Sequence, residues 1–498
     1  MQSGSKAHSL KYNAIINILS KVMSIIFPVI TIPYVTRTLD VGNYGMVSLS
    51  QNIIGFFALF AGLGISTYAT RTGAAIRDDP GKLKQFACEV FSINVLSTLS
   101  SLLGLATCVL IFPELHPLLS LLTVMSMGIM MGTIGCDWVN NIYEDFTSLT
   151  VRTFFVQIIS LVLLFLLVKN VDDQLIYASI GVFASGFASL INAVYIRRYV
   201  KISFVRCSWS LIKHHVKPIL IFFFTQVACM IYVSSDAVML GFMQNNEEVA
   251  FYNIATKVYT IVNTMIYAVI MVLLPRLSNI IHIKKDLLQN CDKIDQIFNV
   301  MLLLTVPCMA LVFSLSDSIV LFLGGITYGE SVVPLKLLSF ASLFSVFAGL
   351  YSACILLPVG AERISFYCTV LAAVVNLVAN VIFIPIGGAT AAAATTVLAE
   401  AVGFLGYWLY CRRLLYIHIS RNVLAVVVMG YILTEMVCRS LHILMKQPFF
   451  HCVVSGIAVL FVYSLVLYLG DRKDFFYLYG GGISKITAKM PFNKKETR

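Results

Sequence analysis

Positive charge in this chain is confined to every second gap between long apolar stretches, and that alternation limits the possible folds more than any other feature of the sequence. About fourteen stretches are apolar over the roughly 20 residues that a helix needs to cross a bilayer, and short connectors join them. Roughly 29 of the 35 Lys and Arg fall at the two termini and in the alternate connectors, the positive-inside pattern of a polytopic membrane protein. The apolar stretches run over about 13–37, 44–69, 85–112, 117–136, 151–169 and 174–196, then 217–242, 250–275, 295–323, 333–357, 364–384 and 387–410, then 421–443 and 450–470. Cations collect after the second, sixth, eighth and twelfth, for example Arg71, Arg77, Lys82 and Lys84, or Arg197, Arg198, Lys201, Arg206, Lys213 and Lys217. The intervening gaps carry Glu114, Asp172, Asp173, Glu247, Glu248 and Glu330. Both termini are therefore expected in the cytoplasm, with the tail from Asp471 to Arg498 as a polar surface segment. The fold class expected is an all-α polytopic membrane protein.

Composition agrees: 59% of residues are hydrophobic, 12% are charged, and the mean hydropathy is +0.88. A soluble chain carries about a quarter charged residues. The net charge of +11 would point to nucleic acid in a soluble protein. Flanking membrane spans, it reads instead as topology and contact with anionic lipids, so membrane lipids are expected partners and nucleic acid is not. The first apolar stretch, about Ile15 to Val35, is too long for a signal peptide and has no small-residue cleavage site, so it is read as a span. The twelve Cys are scattered without a CxxC pair, which indicates neither a disulfide framework nor a zinc site. His214 and His215 sit in a basic connector without the spacing of a metal site. No Walker glycine loop and no nucleophile elbow occur. No catalytic residue, cofactor or metal is therefore expected, and ATP is not the direct energy source.

The connector from Arg197 to Lys217 is the longest basic one and cuts the chain into an N-terminal lobe (1–205), a C-terminal lobe (206–420), and two extra helices with the tail (421–498). A weak repeat supports the cut. Gly42-Asn43-Tyr44-Gly45 opens the second helix of the first half, and Ala250-Phe251-Tyr252-Asn253 opens the second helix of the other. Six helices per half keep the two halves in one orientation, which places a central cavity between two six-helix lobes. Pro28, Pro33, Gly42, Gly45, Gly55, Gly62 and Gly64 crowd the first two helices. Close packing through small residues and a first helix that bends during gating are both open readings.

Two stretches carry a family resemblance. Ile30-Thr31-Ile32-Pro33-Tyr34-Val35-Thr36-Arg37-Thr38-Leu39, followed by Tyr44-Gly45-Met46-Val47-Ser48-Leu49-Ser50-Gln51, Ala69-Thr70-Arg71 and Arg77-Asp78-Asp79, resembles the start of the Wzx-type polysaccharide flippases of the polysaccharide transporter family. Ser235-Asp236-Ala237-Val238-Met239-Leu240-Gly241 with Glu248 to Lys257 is similar to the seventh and eighth helices of that family. The resemblance implies the multidrug/oligosaccharidyl-lipid/polysaccharide exporter fold. It also implies a flippase that moves an undecaprenyl-pyrophosphate-linked oligosaccharide, an O-antigen or capsule or exopolysaccharide unit, to the outer leaflet of the bacterial inner membrane. The chain departs from it at Gly62 in Phe60-Ala61-Gly62-Leu63-Gly64, where family members often carry an acid.

A charge at membrane depth is costly and normally faces the bundle interior, so charges that break the alternation are the candidate site residues. Asp236 and Lys257 lie at similar depth on adjacent helices and form either a structural ion pair or a pyrophosphate contact held by its acid. Arg37 at the outer end of helix one and Arg71 at the inner end of helix two are further candidate substrate contacts, Arg71 doubling as a topology anchor. Lys21 reads as a snorkelling cation. Glu400 is the candidate proton or sodium site, and Glu435 has Arg439 one turn later. Asp137, Glu144 and Asp145 are expected in a solvated loop. Fixed Lys and Arg in a wet cavity replace the hydration that a lipid diphosphate loses there. The expectation is a flippase working by alternating access on an ion gradient (H+ or Na+) or the membrane potential, with polymerase or chain-length machinery as a further partner. A multidrug/cation antiporter of the same fold is the alternative, opposed by the cationic walls. A membrane polymerase or ligase would need a long periplasmic loop, which the chain lacks.

Overall fold

The computed structural model describes residues 25–205, 209–284, 291–445 and 447–470. Lys21, Arg206 and the tail from Asp471 to Arg498 lie outside them. Every regular element among the described residues is helical. In chain order they are α1 (Ile25–Thr38), α2 (Val41–Gly62), α3 (Ile65–Ala75), α4 (Pro80–Ile111), α5 (Leu119–Gly135), α6 (Trp138–Ile142), α7 (Phe146–Leu167), α8 (Gln174–Val182), α9 (Ala188–Tyr195), α10 (Trp209–Met243), α11 (Asn246–Lys284), α12 (Cys291–Leu323), α13 (Val332–Tyr351), α14 (Leu357–Val359), α15 (Glu362–Cys411), α16 (Arg421–Leu444) and α17 (Pro448–Gly470). Ten stretches among the described residues are long and apolar enough to cross a membrane, and the chain is a multi-pass membrane protein. The predicted spans at 364–384 and 387–410 are the two halves of α15, interrupted at Gly388 (φ +50°, ψ −134°) after Pro385. The second predicted span is also divided, into α2 and α3, by Leu63 (φ 45°) and Gly64 (φ 71°).

Local chemistry sets the helix starts. Asp40 Oδ1 accepts the Asn43 amide at 2.6 Å and opens α2. Asp79 caps α4 by accepting the amides of Gly81 and Lys82, both at 3.1 Å, with Pro80 in the first turn where its missing N–H costs nothing. Inside the spans, Ser and Thr hydroxyls donate to carbonyls four residues back, as Ser160 does to Val156 and Thr434 to Gly430. That local bond satisfies the hydroxyl without a partner from another helix.

The chain divides into two compact units: Met1–Asn253 with Leu323–Thr327 and Asn380–Ala389, and Ile254–Phe322 with Tyr328–Ala379 and Thr390–Arg498. In the first, α2 packs on α4, α5 and α10, and α3 packs on α6 and α10. Ile65, Leu83, Phe86, Val139 and Ile142 form the core beneath α3. Between apolar helices in lipid the gain comes from close van der Waals contact, which small residues permit. Gly45 shows this best: a Cβ there would lie 1.8 Å from the Asn246 carbonyl oxygen. The broken end of α2 is bound by side chains of α4, since the Ala61 carbonyl accepts both Asn94 Nδ2 at 2.8 Å and Ser97 Oγ at 2.6 Å.

In the second unit, Ile270, Phe298, Met301, Val346, Leu350 and Ile355 make one buried core. Leu303 and Val306 of α12 pack with Val423 and Val427 of α16 and with Tyr463 and Leu467 of α17. Buried His451 ties the same three helices together, with Nδ1 2.7 Å from Ser318 Oγ and Nε2 3.1 Å from the Cys438 carbonyl.

Candidate functional site

Asp236 is the most deeply buried acid of the first unit, at 2% exposure on α10. Its carboxylate is enclosed by donors: Tyr252 gives its hydroxyl to Oδ2 at 2.5 Å, and Asn380 Nδ2 donates to Oδ1 at 2.6 Å. Next to Tyr252, Asn253 Oδ1 accepts the Tyr44 hydroxyl at 3.2 Å. The two sequence segments related by the weak repeat therefore meet in one buried polar cluster. Just beyond it, the Glu248 carboxylate accepts the Ala389 amide at 2.6 Å, and Gln244 Nε2 donates to the carbonyls of Ile384 and Pro385, both at 2.9 Å. Those bonds take up backbone groups that the break at Gly388 releases from α15. Glu248 also leaves no space for a side chain at Gly388.

In the second unit, Glu400 is 6% exposed and accepts the Tyr259 hydroxyl at 3.0 Å. Tyr267 of α11 donates to the Ser345 carbonyl at 2.8 Å. Glu435 accepts from Arg439 at 2.7 Å, the pairing expected one turn apart, and also from Ser314 at 2.5 Å. A cavity of about 540 Å³ is lined by Phe344, Phe347, Tyr351, Phe404 and Trp408, with Arg412 and Arg413 also on its wall. The Arg412 guanidinium lies 4.9 Å from the Trp408 ring centre, a cation–π contact.

The predicted cations sit differently from the acids. Arg37, at the end of α1, is exposed and donates to the Pro33 carbonyl at 2.6 Å. Arg71 on α3 and Lys257 on α11 are exposed as well. Arg37, Arg71 and Asp236 belong to the first unit, Lys257 and Glu400 to the second.

Several paired groups escape a reading of the sequence. Asp137, Glu144 and Asp145, expected to be solvated, each hold an arginine: Asp137 pairs with Arg152 at 2.9 Å, Glu144 with Arg77 at 3.2 Å and Asp145 with Arg198 at 2.8 Å. Asp145 is largely buried, accepts Tyr195 and Tyr199 as well, and the Arg198 guanidinium stacks 3.7 Å over the Tyr195 ring. His215, without a visible partner in the sequence, lies buried between Tyr68 (2.8 Å) and Glu89 (3.0 Å). Their partners lie 50 to 147 residues apart in four of these contacts, beyond any local spacing rule.

A chain whose described residues form only helices, many of membrane length, with its deepest acids enclosed by hydroxyl and amide donors, is a polytopic membrane protein. It belongs to the polysaccharide biosynthesis protein family, whose sequence profile matches residues 10–281. Two curated relatives, both named as candidate O-antigen transporters, match about half of the chain. One, from Shigella dysenteriae, is 23% identical over 282 residues, covering 54% of this chain and 68% of the relative. The other, from Escherichia coli (strain K12), is 21% identical over 271 residues, covering 54% and 65%. Among solved structures, the lipid II flippase MurJ in an inward closed conformation superposes with a TM-score of 0.71 at 16% identity, over 92% of this chain and 98% of that one. An inward-facing multidrug resistance MATE family transporter superposes at 0.61 with 14% identity, over 80% and 97%. At these identities the structures establish the shared fold.

Proposed function

We propose that the chain is a flippase for a lipid-linked polysaccharide precursor, carrying an undecaprenyl-pyrophosphate-linked oligosaccharide from the inner to the outer leaflet of a bacterial inner membrane by alternating access. The observation that carries the reading is the unequal treatment of charge. Asp236 and Glu400, the acids deepest in the spans, are buried and hydrogen-bonded, whereas Arg37, Arg71 and Lys257 stand exposed. Among these candidate residues the exposed charges are therefore the cations, which suit a diphosphate and repel a drug cation. The family, the two O-antigen transporter relatives and the flippase fold support the same reading. In it Glu400 is the coupling position for a proton or sodium ion, both termini lie in the cytoplasm, and polymerase machinery takes up the product on the far side.

The test is flipping of a labelled undecaprenyl-diphosphate glycan by the purified chain in proteoliposomes. Loss of one charge-assisted phosphate contact costs about 1.5–3 kcal/mol, so Lys257→Ala and Arg37→Ala are each expected to slow flipping about tenfold or more. Unchanged rates in both variants would overturn the site, and no flipping by the unaltered chain with its cognate glycan would overturn the function.

A further inference from the structure

Beside the break between α2 and α3, inside the first unit, lies a cavity of about 300 Å³. Two missing side chains keep it open. A Cβ built at Gly62 or at Gly132, both on its wall, meets nothing within 4 Å. Gly62 is also the position where the chain departs from the acid common in the family it resembles.

The polar groups on the wall are of mixed character. Trp138 lines the cavity, while its indole N–H is turned into the surrounding protein, where it has no acceptor among the described residues. The Gln226 amide and the Asp137 carboxylate line it too. Asp137 is half exposed, while its Oδ1 is held at 2.9 Å by Arg152 and at 2.8 Å by Asn192. Arg152 is itself buried and fixes that carboxylate. No Lys or Arg is on the wall, which disfavours phosphate, and the charge of Asp137 is already balanced, which disfavours a drug cation. A side-chain amide and a carboxylate acceptor beside an aromatic ring suit a neutral ligand that both gives and takes hydrogen bonds.

We propose that this cavity is a sugar-binding subsite that takes one residue of the transported glycan by its hydroxyls, with Gln226 as donor and Asp137 as acceptor beside the Trp138 side chain. The inference rests on the transport reading above and adds where the sugar is recognised. Gly62 and Gly132 are then specificity positions, left without side chains so that a pyranose ring fits.

The full chain carries three Trp (Trp138, Trp209 and Trp408), so Trp209→Phe with Trp408→Phe leaves Trp138 as the reporter. Two probes are titrated against the purified protein: the soluble repeat-unit oligosaccharide released from its lipid by mild acid, and undecaprenyl diphosphate without sugar. The oligosaccharide is expected to change Trp138 emission saturably, and the sugar-free lipid is expected to leave it unaltered. Gly132→Leu and, separately, Gly62→Leu are expected to raise the half-saturating concentration at least tenfold while eluting as the parent does. Unaltered saturation in both leucine variants, or a response to the sugar-free lipid alone, overturns the subsite. The proteoliposome assay separates the two readings. A chain that flips the lipid-linked glycan yet shows no Trp138 response overturns the subsite and leaves transport standing. A chain that binds the oligosaccharide but flips nothing supports the subsite and overturns transport.

Discussion

Tyr252 donates its hydroxyl to Asp236 Oδ2 at 2.5 Å, across the turn that joins α10 to α11, and so helps to keep a carboxylate at 2% exposure inside an apolar bundle. Removing one donor from a buried charge leaves its desolvation uncompensated, at about 1–3 kcal/mol. Tyr252→Phe should therefore lower the thermal midpoint of the purified protein clearly. Asp236→Asn in the Tyr252→Phe background should cost less than it does in the parent, with a coupling of about 0.5 kcal/mol or more. A double-mutant cycle followed by thermal unfolding in detergent measures it, and strict additivity would show that the contact is incidental.

Glu400, bound by Tyr259, carries the coupling assignment. Glu400→Gln keeps the shape and removes the titratable group. Flipping by this variant should become indifferent to an imposed proton or sodium gradient, while downhill exchange between leaflets survives. Tyr259→Phe, which keeps the carboxyl, should retain the gradient response. Equal gradient responses in Glu400→Gln and the parent would place coupling elsewhere.

Two glycines should respond in opposite directions to one methyl group. Gly45→Ala forces a Cβ onto the Asn246 carbonyl oxygen and should lose about 1–3 kcal/mol or more, seen as poor yield of folded protein. At Gly456 in α17 a Cβ meets nothing within 4 Å, so Gly456→Ala should gain about 0.5–1 kcal/mol from helix propensity. Yield and thermal midpoint of both variants, compared in one detergent, decide the matter.

Two carboxyls at helix starts outside the spans predict a pH response. The Lys82 amide, aided by the Lys82 ammonium, holds Asp79 below the ordinary carboxylate range, and the amides of Lys169 and Asn170 do the same for Asp173. A carboxyl more acidic in the folded chain binds fewer protons there than in the unfolded chain. Its contribution is thus complete above the ordinary carboxylate range and is lost as pH falls through the depressed value. Asp79→Asn and Asp173→Asn should each lower the thermal midpoint at neutral pH, and the difference from the parent should close as pH falls below the ordinary carboxylate range.

The spans were legible because apolar runs of membrane length leave few alternatives, and the two halves of α15 were read as separate spans at 364–384 and 387–410. The depth of Asp236 and Glu400 could be counted along their helices. Their donors could not: Asn380 is 144 residues from Asp236, and Tyr259 is 141 from Glu400. One loop acid was misjudged for the same reason, while Asp137 and Glu144 keep about half or more of their exposure. Asp145 looks solvated by position, yet the aromatic pair Tyr195 and Tyr199 with Arg198 closes over it from a helix end some 50 residues later. The cavity at Gly62 and Gly132 was hidden because an empty volume is made by what two distant helices lack.

The Ala61 carbonyl has an implication for how the chain is made. Its two donors, Asn94 and Ser97, are synthesised 33 and 36 residues after it. Until then the last turn of α2 enters the bilayer with a backbone acceptor unsatisfied in a medium that offers no water. The hydrogen bonding of the first hairpin is therefore completed by a helix made after it. The break between α2 and α3 thus has its side-chain hydrogen bonds only once α4 is in place.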